Sequence, residues 1–394
     1  MSRIARNGQD APGAEDAFDE RVILTSMAKP EAVPERSRLL RETLLFDWKK
    51  WNPPVAWHSM PAIALSLGLG IGLGSPESGL VAAAGAFTTG LGALQTIRGS
   101  CTIPMLLAAA GVTLSTFVGM VVGHQSIVFL VVSGLWAAVY ALLTALKGGT
   151  SWVGLQCAIF LLVSSAFHTT PRGALTRCSL ILAGGLLQTV FMMAIRRWAR
   201  SGYCPEEPAG RPLLKSLGGL RGCATLRTPV CRYGLRMTLV VMGAAEIYRH
   251  TNFLNGYWIP MTALLVVRPD FVQTLTRGMM RVAGTLLGVW VAGLIAAWLH
   301  PSPAVLAALI VFFAWWAYSL LNVNYALFTL NLTAYIVFLL ALAGIPEAAV
   351  VHRRAAFTLL GGGLALLAYV DLFRRTGRWI RAERQRAASE QSAR

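Results

Sequence analysis

The chain has 394 residues, 55% of them hydrophobic and only 13% charged, with a mean hydropathy of +0.56. A soluble domain carries about a quarter charged residues, so this composition excludes an ordinary water-soluble fold and points to a bilayer. The formal net charge of +17 suggests nucleic acid at first sight, but the charges cluster beside apolar runs, which excludes that partner.

Residues 1–34 carry Pro12, Pro30 and Pro34, many charges and few large apolar groups, the composition of disorder. Residues 1–20 lack the apolar core of a secretory signal. From Glu35 to Trp51, Leu40, Leu44, Trp48 and Trp51 fall on one helical face, with Arg36, Arg41, Lys49 and Lys50 near or opposite. A helix lying in the cytoplasmic interface fits that pattern, and so does a short helix packed on the linker. Asn52-Pro53-Pro54 ends it, so residues 1–54 form a cytoplasmic N-terminal segment.

Runs close to the ~20 apolar residues needed to cross ~30 Å then recur. The first set lies near 57–74, 79–97, 103–123, 127–146, 152–167 and 174–195. A second set lies near 235–249, 256–268, 279–299, 303–321, 325–344 and 352–373. The fold class expected is therefore all-α: a polytopic membrane protein of about twelve transmembrane helices in two six-helix repeats, residues 55–195 and 235–373. Between them runs a basic linker, 196–234, and after them a basic tail, 374–394. Gly79 and Gly256, each opening a span, stand 177 residues apart, as do Arg177 and Arg354, each seven residues before a Gly-Gly pair. His124 and His300 stand 176 apart. With six spans per unit both repeats have the same orientation, and a pathway is expected at or near their interface.

Arg and Lys gather before the first span, in the linker (Arg196, Arg197, Arg200, Arg211, Lys215) and after the last span (Arg374, Arg375, Arg378). The positive-inside rule then places both termini and the linker in the cytoplasm, facing anionic lipid. The six cysteines show neither metal nor disulfide spacing, and no metal, cofactor or enzymatic chemistry is expected of the chain. Five of the six histidines fall near ends expected to face outward, where interfacial placement without function is the simplest reading.

The stretch 251–288 is the most informative. Some 17 residues separate Arg249-His250 from Arg268, and Pro260 interrupts them, so a short, broken segment is expected, as at transporter binding sites. A kink re-satisfied by neighbouring helices is the plain alternative. Thr274, Arg277, Arg281, Thr285 and Gly288 then share one helix face. An arginine as deep as Arg281 is costly in lipid unless an anion or a carboxylate such as Asp270 or Glu246 offsets it. Glu246, the most deeply placed acid by sequence, reads either as a proton carrier or as the partner of an arginine such as Arg249 or Arg281. The polar run Asn322, Asn324, Tyr325, Thr329, Asn331 and Thr333 cannot all face lipid, so inter-helix hydrogen bonds or a pathway lining are expected there.

Tyr257-Trp258-Ile259-Pro260-Met261-Thr262, Val266-Val267-Arg268-Pro269-Asp270 and Arg281-Val282-Ala283-Gly284-Thr285-Leu286-Leu287-Gly288 resemble the signature of the fusaric acid resistance family, the aromatic acid exporters. Plant aluminium-activated malate transporters look distantly similar. The resemblance covers about 246–370, with only layout supporting it over the first half. It implies a bacterial inner-membrane exporter of aromatic or related organic acids, driven by proton motive force. Trp258, Pro260, Thr262, Arg268, Arg277, Arg281, Tyr325 and Asn331 would then contact a small organic anion, with Glu246 or Asp270 coupling protons. A passive organic-anion channel and a membrane scaffold or assembly factor are the alternatives. A periplasmic adaptor and a homo-oligomer remain open as partners.

Overall fold

The computed structural model describes residues 45–146, 148–199, 228–251, 253–345 and 350–369. The expected disordered start, most of the interfacial helix, most of the linker and the basic tail lie outside the described residues. Among these, twelve α-helices follow one another. They are α1 (Pro53–Gly72), α2 (Pro76–Leu91), α3 (Thr102–Val122), α4 (Ile127–Leu143), α5 (Gly149–Ser164) and α6 (Pro171–Ala199), then α7 (Pro229–His250), α8 (Trp258–Val266), α9 (Phe271–Leu299), α10 (Pro303–Leu320) and α11 (Tyr325–Leu342). The last, α12, covers 350–369. The isolated bridge Ile97–Ser100 is the only β pairing among the described residues.

Local chemistry sets the boundaries. Asn52 accepts a hydrogen bond from the Val55 amide at 3.4 Å, and Pro53 and Pro54 fill the first helical positions, where a missing N–H costs nothing. Asn52-Pro53-Pro54 thus begins α1 rather than separating two helices; before it, residues 45–52 carry only the 3₁₀ turn Trp48–Lys50. Ser126, Thr228, Asp270 and Asn324 cap α4, α7, α9 and α11 in the same way. Gly123, at φ 67°, ends α3 in the left-handed region that side chains avoid.

Each helix falls near an expected span, but eight are long and apolar enough to cross a membrane: α1, α3, α4 and α5 each with its 3₁₀ extension, α6, α9, α10 and α11. The nine residues of α8 rise about 14 Å, too little to span. The break expected at Pro260 is absent. Pro260 is the third residue of α8, in the first turn, where no backbone donor is needed. The segment is short because turns precede Trp258, with Asn255 at φ 66°, and because Val267-Arg268-Pro269 terminates it.

Packing follows small residues. Gly85 and Gly184 let α2 and α6 meet at the carbonyls of Ile181 and Ala82. Gly284 and Gly288 of α9 lie against the carbonyls of Ala326 and Leu330 in α11, and Gly361 of α12 against that of Ile259 in α8. A Cβ at any of these positions would overlap backbone, so glycine is what permits the close approach. Between the first and second six helices, α1 packs on α10 and α4 on α7, with smaller contacts of α2 on α11 and α5 on α8. Cys101, expected to have no role, is disulfide-bonded.

Candidate functional site

Helices α2, α3, α5 and α6 on one side and α8, α9 and α11 on the other enclose a cavity of ≈ 710 Å³. That is the size of a small-molecule site. Most of its wall is apolar and aromatic, with Phe87, Phe160, Trp258, Phe328 and Leu332 among the side chains.

Three arginines interrupt this wall, two of them from one helix. Arg277 and Arg281, four residues apart near the start of α9, lie on one helix face and both reach the cavity. Arg281 is 2% exposed, and its Nε is buried without a hydrogen-bond partner. Arg277 is half-buried, with its guanidinium carbon 3.5 Å from the centre of the Tyr325 ring. The Tyr325 hydroxyl lies close to Arg281 without completing a well-formed hydrogen bond. Asn324 positions this tyrosine by capping α11 through the amides of Ala326 and Leu327, at 2.8 and 3.3 Å. Among the described residues no salt bridge involves Arg277 or Arg281. A buried guanidinium is stable only when something negative or a strong acceptor meets it, so donors left open toward a cavity suit an anion.

The third arginine has an acid beside it. Glu77 of α2 and Arg177 of α6 flank the cavity 3.9 Å apart, with side chains 70% and 39% exposed. The Arg177 guanidinium also lies 5.0 Å from the centre of the Phe167 ring.

Of the side chains expected to bind a solute, the structure brings Trp258, Arg277, Arg281 and Tyr325 together on the cavity. The others lie elsewhere. Pro260 and Thr262 are buried inside the packing of α8, where Thr262 meets Gly361 of α12. Asn331 is buried and donates to the Leu327 carbonyl of its own helix at 2.8 Å. Arg268 is held as a clasp. Its amide and carbonyl bond the Thr274 hydroxyl at 2.9 and 3.3 Å, its Nη1 donates to the Tyr140 hydroxyl at 3.0 Å, and its carbonyl also accepts from the Tyr369 hydroxyl.

Neither expected proton carrier reaches the cavity. Glu246 stands in the last turn of α7, 40% exposed, gripped by Arg249 through two bonds of 2.8 Å and by His250 at 2.9 Å. The geometry is that of an ion pair within one helix. Helix α7 ends four residues after Glu246, so the carboxylate comes out near the helix end. Asp270 accepts from the Gln273 amide at 3.4 Å, as the cap of α9.

Three charged residues near the cavity escaped the sequence reading as site residues. Arg177 and Arg354 were visible only as markers of the 177-residue offset, and Glu77 carried no signal beyond a lone acid beside a span. Arg354 is 1% exposed, with its guanidinium carbon 4.9 Å from the centre of the Trp258 ring.

Eight helices long and apolar enough to cross a membrane, in a bundle that holds an arginine-bearing cavity, define a polytopic, all-helical membrane protein. Residues 240–368 match the model of the fusaric acid resistance protein-like family, about a third of the chain. The chain is similar to an uncharacterised protein of Synechocystis (34% identity over 142 residues, 36% of this chain and 19% of the relative). It is also similar to an uncharacterised protein of Neisseria gonorrhoeae (33% over 151 residues, 37% and 35%) and to the inner membrane protein YccS of Escherichia coli (31% over 141 residues, 36% and 19%). The matched part spans between about a fifth and a third of the length of these relatives. No solved structure matches the chain.

Proposed function

We propose that the protein is a multi-pass inner-membrane transporter that exports aromatic or related organic acids through the cavity between its two halves. The observation that carries this reading is Arg281, 2% exposed on the cavity wall with no carboxylate beside it among the described residues. The carboxylate of the solute supplies the missing charge, Arg277 draws it in, and Trp258 and Phe328 hold its ring. Similarity to the fusaric acid resistance-like family and to the inner membrane protein YccS supports the assignment.

The transporter is built from two six-helix repeats of like orientation, with both termini cytoplasmic. Three observations support the repeat. The starts of α1 and α7, of α4 and α10, and of α5 and α11 are each 176 residues apart. The contact of Gly184 with the Ala82 carbonyl and that of Gly361 with the Ile259 carbonyl are 177 residues apart at both partners. Finally, the pairs α1–α10 and α4–α7 exchange when the halves are exchanged, as do α2–α11 and α5–α8.

Proton motive force drives export, with Glu77 as the coupling carboxylate in place of Glu246 and Asp270, because it is the one acid on the cavity wall among the described residues. A second reading, a passive anion channel, is favoured by the state of that acid, which is 70% exposed and already lies 3.9 Å from Arg177. Efflux of hydroxybenzoate from cells expressing wild-type, Arg281→Lys and Arg281→Met protein tests the site. The methionine variant should fold, since no partner charge is stranded, and should lose efflux, while lysine retains part of it. Equal efflux from all three would remove Arg281 from the route. Efflux that persists when the proton gradient is collapsed, with a membrane potential maintained, would favour the channel.

A further inference from the structure

Arg354 stands behind the cavity wall rather than on it. Trp258, whose ring it faces at 4.9 Å, lines the cavity, whereas Arg354 does not. The Arg354 Nε donates to the Thr333 hydroxyl at 3.5 Å, and its Nη2 is buried without a partner. The hydroxyls of Thr262, Thr285 and Thr329 and the Nε of Arg281 are also buried and unbonded. These groups belong to one seam. Gly284 lies against Thr329, Gly288 against Thr333 and Gly361 against Thr262, so glycine contacts bring α8, α9, α11 and α12 together around them.

The seam therefore combines two guanidinium groups, each no more than 2% exposed, with three hydroxyls that have bonds left to make. Among the described residues no carboxylate pairs with either arginine. Water could satisfy the hydroxyls, but it would leave two like charges uncompensated at low dielectric, which is the costlier defect. Cations are excluded by the arginines. An aromatic acid is excluded by the close helix packing that the glycines enforce.

We propose that this seam binds one compact inorganic anion, a halide, held between Arg354 and Arg281 and hydrogen-bonded by the threonine hydroxyls. The ion is resident and distinct from the exported solute. It neutralises Arg354, so that Arg281 remains available to the cavity on its other side. Solute specificity and halide content are then linked through the one arginine they share.

Equilibrium binding of radiolabelled chloride to the purified full-length protein in detergent, with gluconate balancing ionic strength and no organic acid present, tests the site. Saturable binding of about one chloride per chain, displaced by bromide, is expected. Arg354→Gln should weaken it at least ~tenfold, the loss of one charge-assisted contact. Thr285→Val combined with Thr329→Val keeps both arginines and should weaken it several-fold, so that pair carries the test if Arg354→Gln fails to fold. Absence of saturable binding to the wild type overturns the proposal, as does an affinity unchanged in every variant that folds. Full displacement of chloride by hydroxybenzoate also overturns it, by placing the ion in the solute's own station. A wild-type protein that binds chloride but exports no hydroxybenzoate would defeat the export reading and leave the halide site standing.

Discussion

The guanidinium of Arg277 lies 3.5 Å from the centre of the Tyr325 ring, and the two residues come from different helices, α9 and α11. The ring face does what a carboxylate would otherwise do, stabilising the cation without neutralising it. Arg277 thus stays available to an incoming anion. A cation–π contact of this kind is worth ~0.5–2 kcal/mol. Tyr325→Phe keeps the ring face and should leave the apparent KM of efflux close to wild type. Tyr325→Leu removes it and should raise that KM between about twofold and thirtyfold. Equal values for the two variants would assign Tyr325 no part in holding Arg277.

Glu246→Gln separates the two roles open to that acid. Its carboxylate is 40% exposed and bonded to Arg249 and His250 on its own helix, and it does not line the cavity. Exposed ion pairs at this spacing contribute little to stability. Efflux and its dependence on the proton gradient should be unchanged in Glu246→Gln, and the melting temperature should fall slightly. Glu77→Gln, by contrast, should reduce the gradient dependence of efflux. The opposite result would restore Glu246 as the coupling group.

Glycines in the helices fall into two groups that substitution should separate. At Gly288 an added Cβ would overlap the Leu330 carbonyl, whereas at Gly243 and Gly293 it would meet nothing within 4 Å. Gly288→Ala should push α9 from α11 and cost expression and thermal stability, with efflux falling as the cavity wall shifts. Gly243→Ala and Gly293→Ala should be neutral or raise stability by up to ~1 kcal/mol, the helix-propensity gain. Thermal unfolding in detergent reads all three.

Helix positions were legible in the sequence because length, hydropathy and breakers are local. Among the described residues twelve helices fall near the expected runs, eight of them long and apolar enough to cross a membrane, whereas Asp270 and Asn324, read as a charge partner and a polar lining, turn out to be helix caps. What escaped depends on partners remote in sequence. Pro260 breaks nothing, since the residues before it are turns and it enters the first turn of α8. Glu246 reads as deep in a span until the end of α7 four residues later brings it to the exterior beside Arg249. Asn331 is polar in an apolar helix, yet it satisfies itself on the Leu327 carbonyl. Arg281 was the exception: shared helix spacing with Arg277 and an adjacent glycine marked an inward face, and both arginines lie on the cavity. Arg354 stood in plain view as an offset marker, but only Trp258 and Thr333, 96 and 21 residues away in sequence, reveal its burial.

Arg268 provides the sharpest contrast with Arg281, because both are expected from sequence to contact the solute. It sits between α8 and α9, where backbone must turn. Thr274 ties its amide and carbonyl back to the first turn of α9, and the Tyr369 hydroxyl binds the same carbonyl from α12. Its guanidinium reaches across to Tyr140 of α4, at 3.0 Å, so one side chain joins the two halves of the bundle. Tyr233 adds a bond to the Val267 carbonyl at 3.4 Å, and Arg236 lies 4.2 Å from the centre of the Tyr369 ring. None of these groups lines the cavity. Arg268→Met should therefore lower the melting temperature, and Tyr140→Phe should do so by a similar amount, since a hydrogen bond to a charged group contributes ~1.5–3 kcal/mol. The double variant should be little worse than either single one, because both break the same bond. The apparent KM of efflux, measured per folded molecule, should stay at the wild-type value in all three. A raised KM with unchanged thermal stability would instead put Arg268 on the path of the solute.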